Sequence, residues 1–252
     1  MTTKILAVDI GNTNISIGLF DRGTIVNHSR IAVPHLNQKD DLAETWWKDL
    51  DFTGIKDVVT ASVNPEAESL FSNWLKTKYN KKPIAIGIDV QPHITMKVDN
   101  YETVGIDRIL NAIAGYQLMG RGTIIIDLGT AITFDIVSDS GDFIGGVISP
   151  GTNMCSKALN EQTSKLPYVP IKRVEKALGK DTHSAILSGI YWGTIGSINK
   201  IVEELSNEIN FKPAVIATGG GAELFAEHIK GLEKTFPLLT LEGIKMVYDK
   251  IN

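Results

Sequence analysis

Two apolar runs in this chain end on an aspartate and turn on a glycine. One leads into Asp9-Ile10-Gly11-Asn12-Thr13, the other into Asp127-Leu128-Gly129-Thr130-Ala131, with the two aspartates 118 residues apart. The turns downstream, Asp21-Arg22-Gly23 and Asp139-Ser140-Gly141, keep almost the same register. Each corner sits inside a run of three strand-like segments: Ile5–Ile10, Ile15–Phe20 and Thr24–Val33 in the first case, Thr123–Leu128, Ala131–Val137 and Phe143–Ile148 in the second. Two β-meanders with one shared acidic corner predict an internal duplication, with halves at residues 1–118 and 119–252.

After each meander the pattern alternates. In the first half the sequence predicts a helix over Asp40–Leu50, a strand over Asp57–Ser62, a helix over Pro65–Tyr79 with proline at its start, a strand over Pro83–Ile88 and a helix over Ile106–Met119. In the second half it predicts helix over Asn153–Leu159 and His183–Ile209, strand over Ala214–Ala217, helix over Ala222–Ile229, a short strand at Leu238-Leu239-Thr240 and a closing helix over Glu242–Ile251. Strands alternating with helices in this way imply an α/β fold, each half a mixed sheet with helices on both faces.

Composition narrows the classes. A net charge of −4 offers no electrostatic footprint for nucleic acid or an anionic membrane. No run approaches the ~18 apolar residues of a membrane span, and no secretory signal is visible at Met1–Leu6. The single cysteine, Cys155, excludes an intrachain disulfide and a multi-cysteine metal site. It reads as a small packed residue in a cytoplasmic protein. The histidines, His93 and His183 among them, show no metal-ligand spacing, and Trp46-Trp47 and Tyr191-Trp192 read as core or interface packing.

The corners carry the chemistry. At Asp9-Ile10-Gly11-Asn12-Thr13-Asn14 a strand delivers a carboxylate to its end, glycine permits close backbone approach, and the following residues supply donors. Such a corner can hold triphosphate oxygens while the aspartate faces a hydrated Mg²⁺; it can equally be a hairpin turn whose Asp and Asn serve the turn alone. At the second corner Thr130 could donate to phosphate and Asp127 could coordinate a cation, and two opposed corners would form a cleft for a charged phosphate chain. Thr218-Gly219-Gly220-Gly221, between a strand and a helix, suits a base or ribose lying on the backbone. Neither a Walker A pattern nor a G-x-G-x-x-G is present, so P-loop and Rossmann readings lose their usual support. Asp107-Arg108, at the first turn of a helix just after a glycine, suits a carboxylate that orients and deprotonates a hydroxyl in phosphoryl transfer. It also suits a plain helix-start aspartate beside a surface arginine.

Together these motifs resemble one family. Asp9-Ile10-Gly11-Asn12-Thr13, Gly105-Ile106-Asp107-Arg108, Asp127-Leu128-Gly129-Thr130-Ala131 and Gly145-Gly146-Val147-Ile148-Ser149-Pro150-Gly151 occur in the order seen in type III pantothenate kinases, members of the acetate and sugar kinase/Hsp70/actin superfamily. The resemblance spans essentially the whole chain and implies two actin-like (ribonuclease H-like) halves. It implies ATP-dependent phosphorylation of pantothenate to 4′-phosphopantothenate, the first step of coenzyme A biosynthesis. Asp9, Ile10, Gly11, Asn12, Thr13, Asn14, Ile15 and Ser16 would line the ATP phosphates, with Thr130 a further ATP contact. Asp107 would be the general base, and Gly105, Ile106, Arg108 and Thr182 would belong to the pantothenate site, with Arg108 pairing the substrate carboxylate. Asp127 would hold a monovalent cation, K⁺ or NH₄⁺, alongside ATP with Mg²⁺. The family works as a homodimer.

One departure stands out. The family's substrate-contacting tyrosine falls seven residues before the glycine of Gly-x-Asp-Arg, where this chain has Val98; Tyr101 lies four residues before Gly105. A three-residue deletion would bring Tyr101 into the role; otherwise it is a loop tyrosine. The competing functions are another kinase of the superfamily acting on a sugar or carboxylate, and a nucleotide-sensing regulator without turnover.

Overall fold

The structure, a computed structural model, describes residues 4–33 and 54–251. The helix expected over Asp40–Leu50, with Trp46-Trp47, lies outside the described residues. By internal contacts the chain forms two compact units. The first comprises the described residues of Met1–Ile94, Asn100–Ala114 and Leu239–Asn252; the second comprises Thr95–Asp99 and Gly115–Leu238.

In the first unit β1 (Lys4–Ile10), β2 (Asn14–Asp21) and β3 (Thr24–Ala32) form an antiparallel meander. Asp21 pairs with Thr24, which leaves Arg22 and Gly23 as a two-residue loop, both at positive φ; that is the hairpin geometry whose twist matches its strands. β4 (Ile55–Ser62) and the short β5 (Ile84–Ala85) add in parallel, giving the order β3-β2-β1-β4-β5. Helix α1 (Pro65–Tyr79) joins β4 to β5. Its N-cap is Asn64, whose Oδ1 accepts from the Ala67 N–H at 3.1 Å, and its first position is proline. Its apolar stripe of Ala67, Phe71 and Leu75 packs on Leu6, Val8, Ile10, Ile15, Ile17 and Val58, one face of the sheet.

The second unit repeats this plan. β6 (Thr123–Leu128), β7 (Ala131–Val137) and β8 (Phe143–Pro150) form the meander, and β9 (Ala214–Thr218) and β10 (Leu232–Thr235) add in parallel, in the order β10-β9-β6-β7-β8. Read outward from β6, this is the first sheet's order and its pattern of parallel and antiparallel pairs. The β7–β8 turn again carries a positive-φ glycine, Gly141. Helices α3 (Thr152–Glu161), α4 (Thr182–Glu208) and α5 (Ala222–Phe225) belong to this unit; α2 (Ile106–Met119) begins in the first unit, and α6 (Leu239–Asp249), which closes the chain, belongs to the first. Tyr191, Ile195, Ile198 and Val202 of α4 and Phe225 of α5 cover the face made by Ile124, Ile126, Leu128, Ile132, Phe134 and Ile136. Tyr191 is fully buried, stacked edge-on against Trp192. The duplicated actin-like α/β architecture expected from the two corners is therefore present in both sheets.

Several boundaries differ from the sequence reading. The strand expected over Pro83–Ile88 stops after Ala85, because Gly87 takes a left-handed turn and the Asp89 carboxylate accepts from the Ala85 N–H at 2.9 Å. The helix expected over Ala222–Ile229 passes into a 3-10 turn at Ala226–His228, where Asn199 bonds the His228 carbonyl and the Lys230 N–H. Leu238–Thr240 is not a strand. Leu239, Leu241, Ile244, Val247 and Tyr248 are buried at helical spacing, and the edge strand is Leu232–Thr235 instead. An apolar pair such as Leu238-Leu239 cannot by itself separate the two states. The glycines of α4 do not break it: a Cβ at Gly189, Gly193 or Gly196 would meet nothing within 4 Å.

Replacing the α1 cap is the direct test of this local account. Asn64→Ala is expected to lower unfolding stability by about 1 kcal/mol in a denaturant titration, and Asn64→Asp to keep most of it; an unchanged midpoint for Asn64→Ala would remove the cap from the account.

Candidate active site

The first corner is built by backbone pairing. Ile10 faces Ile15 across the β1–β2 ladder, and the Gly11 N–H donates to the Asn14 carbonyl at 2.9 Å, closing the turn. A Cβ on Gly11 would sit 3.0 Å from that same oxygen, so the tight closure favours glycine. Asn12 and Thr13 are exposed at the tip, while Ile10 and Ile15 are fully buried in the core. Only the backbone of those two isoleucines is therefore within reach of a ligand. Asp9 and Ser16 are paired across the ladder, so their side chains share the sheet face away from α1.

Asp107 is brought to this corner within the same unit. It occupies the first turn of α2, and its Oδ1 accepts from the Arg108 N–H at 2.8 Å. A Cβ at Gly105 would fall 2.5 Å from Asp107 Oδ1 and 3.6 Å from Val63 Cγ1, so the carboxylate curls back over Gly105, and a side chain there would push it aside. Val63 follows β4 directly, and its N–H donates to the Ile10 carbonyl at 3.1 Å. One residue thus touches both the floor of the corner and the pocket of the carboxylate. The helix dipole at this position favours the charged Asp107 carboxylate, while burial acts the other way and pushes its carboxyl above the ordinary range, only partly opposed by the Arg108 N–H and guanidinium.

Arg108 and Ile106 are half-buried beside Asp107. Tyr101 opens a 3-10 turn, Tyr101–Thr103, and is 60% exposed. Thr182, in the second unit, is the exposed first residue of α4, just after the capping box formed by Asp181 and Ser184.

The second corner is tighter. Leu128 faces Ile132, leaving Gly129, Thr130 and Ala131 between them, with the Gly129 N–H on the Ala131 carbonyl at 3.1 Å. Asp127 lies between Thr133 and Thr218 on neighbouring strands, on the face away from α4. Two glycine-rich segments close over it. Gly219, at φ +85°, approaches Asp127 Oδ1 and the Leu128 carbonyl so closely that a Cβ there would overlap both, and the Gly221 N–H donates to Leu128 O at 2.9 Å. Gly151 packs on the carbonyls of Gly129 and Thr130 with no room for a side chain. Sequence reasoning had given the Gly219–Gly221 turn to the base or ribose; its nearest partner in the unit is Asp127. The close approaches of Gly105, Gly151 and Gly219 left only one sequence signal, a glycine at a strand or helix terminus.

Comparison with known proteins shows the family and the fold. The type III pantothenate kinase family profile matches residues 5–204. A type III pantothenate kinase of Dehalococcoides mccartyi (strain CBDB1) is 36% identical over 98% of this chain and 96% of its own length. That of Moorella thermoacetica is 34% identical over 98% and 99%. Among solved structures, the ethanolamine utilization protein of Carboxydothermus hydrogenoformans superposes with a TM-score of 0.56 at 19% identity, over 96% of this chain and 89% of its own. The activator of 2-hydroxyisocaproyl-CoA dehydratase from Clostridium difficile, with bound ADPNP, superposes with a TM-score of 0.51 at 13% identity, over 100% and 97%. At those identities the structural matches speak for the fold. The sequence matches go further: this chain belongs to the type III pantothenate kinase family.

Proposed function

We propose that this chain transfers the γ-phosphoryl group of ATP to the primary hydroxyl of pantothenate, giving 4′-phosphopantothenate at the start of coenzyme A biosynthesis. The observation that supports this reading is Val63, whose N–H bonds the Ile10 carbonyl at the end of β1 and whose side chain lies beside Gly105, the residue under the Asp107 carboxylate. Phosphoryl transfer asks little covalent chemistry of a protein; it asks for a positioned hydroxyl and compensated phosphate charge. In this reading Asp9, Gly11, Asn12, Thr13, Asn14 and Ser16 line the phosphates, with Ile10 and Ile15 contributing backbone alone. Asp107 orients the acceptor hydroxyl and takes its proton. Arg108 pairs with the pantothenate carboxylate through its planar fork. Tyr101, Gly105, Ile106 and Thr182 complete the acceptor side, and Thr130 contacts ATP.

Cations fit the two corners as partners of phosphate, water and carbonyl oxygen. Among the described residues no group of three or more His, Cys, Asp or Glu side chains is arranged to hold a metal ion. Asp9 would face the Mg²⁺ that accompanies ATP, and Asp127, crowded by the Leu128 carbonyl and Gly219, would hold K⁺ or NH₄⁺. When bound, these cations offset phosphate charge. The protein is further proposed to act as a cytoplasmic homodimer. Unit two exposes Ile148 (63%), Met154 (45%), Tyr168 (42%) and Leu178 (82%), apolar side chains that a second copy could cover. Light scattering is expected to give a dimer mass, and a monomer at assay concentration would count against it.

Asp107→Asn is expected to keep ATP binding and to lower turnover by about 10²–10⁴-fold in a pantothenate-dependent ADP-release assay. Undiminished turnover would remove Asp107 from the chemistry. The pKa direction adds a stability test. A carboxyl whose folded-state pKa is raised binds more protons folded than unfolded, so it weakens the fold as pH rises from the unfolded value through the folded one. At neutral pH the asparagine variant should therefore melt no lower than wild type. The acid limb of kcat/KM in the wild type should lie above the ordinary aspartate value of 3.8.

The cation assignment is tested by exchange at constant ionic strength. Turnover should be high in potassium or ammonium and low in sodium, with Asp127→Asn losing the difference; equal rates in sodium would take the cation away from Asp127.

A further inference from the structure

We infer that α6, the helix that ends the described chain, is a positioning element for Asp107, acting on α2 through Thr240 and Gly243. The inference rests on the reading above, in which Asp107 handles the acceptor's proton. The family profile matches residues 5–204, and the curated relatives align over 98% of the chain, which takes in α6.

Four contacts within the first unit define what α6 does. Thr240 Oγ1 donates to Asn111 Oδ1 at 2.9 Å, and Asn111 is fully buried. Gly243 lies against the backbone of Leu110: a Cβ there would fall 2.5 Å from the Leu110 carbonyl oxygen and 3.0 Å from its Cβ. Leu241 packs on β2 at Gly18, its Cδ1 3.1 Å from where a Cβ would stand. Tyr248, near the far end of α6, donates to the Asp57 carboxylate of β4.

Leu110 and Asn111 are three and four residues after Asp107, which places them one helical turn along α2 on the same side. Gly18 pairs with Ala7, two residues from the Asp9–Ser16 pair, and on the same sheet face as that pair. The same helix therefore bears on the strands that form the phosphate corner and on the helix that carries the carboxylate. Its thickness sets their separation, and glycine stands at each of its two tightest contacts, on β2 at position 18 and on α6 at position 243. An added methyl at Gly243 has only the Leu110 backbone to displace, and that displacement moves the turn bearing Asp107. Loss of the Thr240 hydroxyl leaves the buried Asn111 without this donor and loosens the same turn. Misplacement of a catalytic group by about 1 Å from a distant substitution can lower turnover by about 10²-fold.

The test uses Thr240→Val, which keeps the side-chain shape and removes the donor, Thr240→Ser, which keeps the donor, and Gly243→Ala. Turnover is expressed per ATP site titrated by calorimetry, so that misfolded protein does not count. Thr240→Val and Gly243→Ala are expected to lower kcat by about ten- to a hundredfold, with the KM for ATP unchanged, and Thr240→Ser to recover most of it. Should Gly243→Ala fail to fold, Thr240→Val decides. A kcat per site within twofold of wild type, or a loss fully accounted for by missing ATP sites, overturns the inference. Asp107→Asn measured in parallel separates the two levels. If it is inactive while Thr240→Val and Gly243→Ala turn over normally, only the role of α6 fails. If it is fully active, the assignment of Asp107 fails and the inference goes with it.

Discussion

The carboxylate of Asp107 lies over Gly105, whose other near neighbour is Val63, and the proposed chemistry of the first unit rests on that proximity. The Val63 N–H is committed to the Ile10 carbonyl, so the end of β4 cannot shift without pulling on the end of β1. The end of β1 and the glycine beneath the carboxylate thus have one neighbour in common. Burial raises the carboxyl's pKa, making it a stronger base at the expense of ionised fraction and of stability. A site that stores an unfavourable charge is a common exchange of stability for function.

The second unit applies the same construction to a different end. Asp127, like Asp9, occupies the strand end beside a glycine turn, on the face away from the main helical core. Here the crowding comes from outside the hairpin. Gly219 closes from the β9 side and Gly151 from the end of β8, each at a distance no other residue permits. The duplicated sheet delivers an aspartate twice, and the glycines around it differ: Gly11 shapes the first corner from within, whereas Gly151 and Gly219 roof the second.

Much of this was legible in the residues. The acidic corners and their positive-φ turns exposed the duplication, since both are local features in which a few residue types have a fixed backbone meaning. The helix read over Pro65–Tyr79, with proline near its start, has those bounds in α1. What stayed hidden was long-range. Nothing near Gly219 or Gly151 says that each faces a corner tens of residues away, and nothing near Thr240 points to Asn111. Leu238-Leu239 misled because two apolar residues carry no period. Ile10 and Ile15, drawn into the site by their motif, prove to be core residues whose side chains face the wrong way for a ligand.

The central claim is that Asp107 and the Asp9 corner serve one phosphoryl transfer. A crystal structure with a non-hydrolysable ATP analogue, Mg²⁺ and pantothenate tests it most directly. The account predicts the phosphates on the Gly11–Asn14 corner and the primary hydroxyl of pantothenate within about 3 Å of an Asp107 carboxylate oxygen. A nucleotide bound away from that corner, or an acceptor hydroxyl out of reach of Asp107, would contradict it.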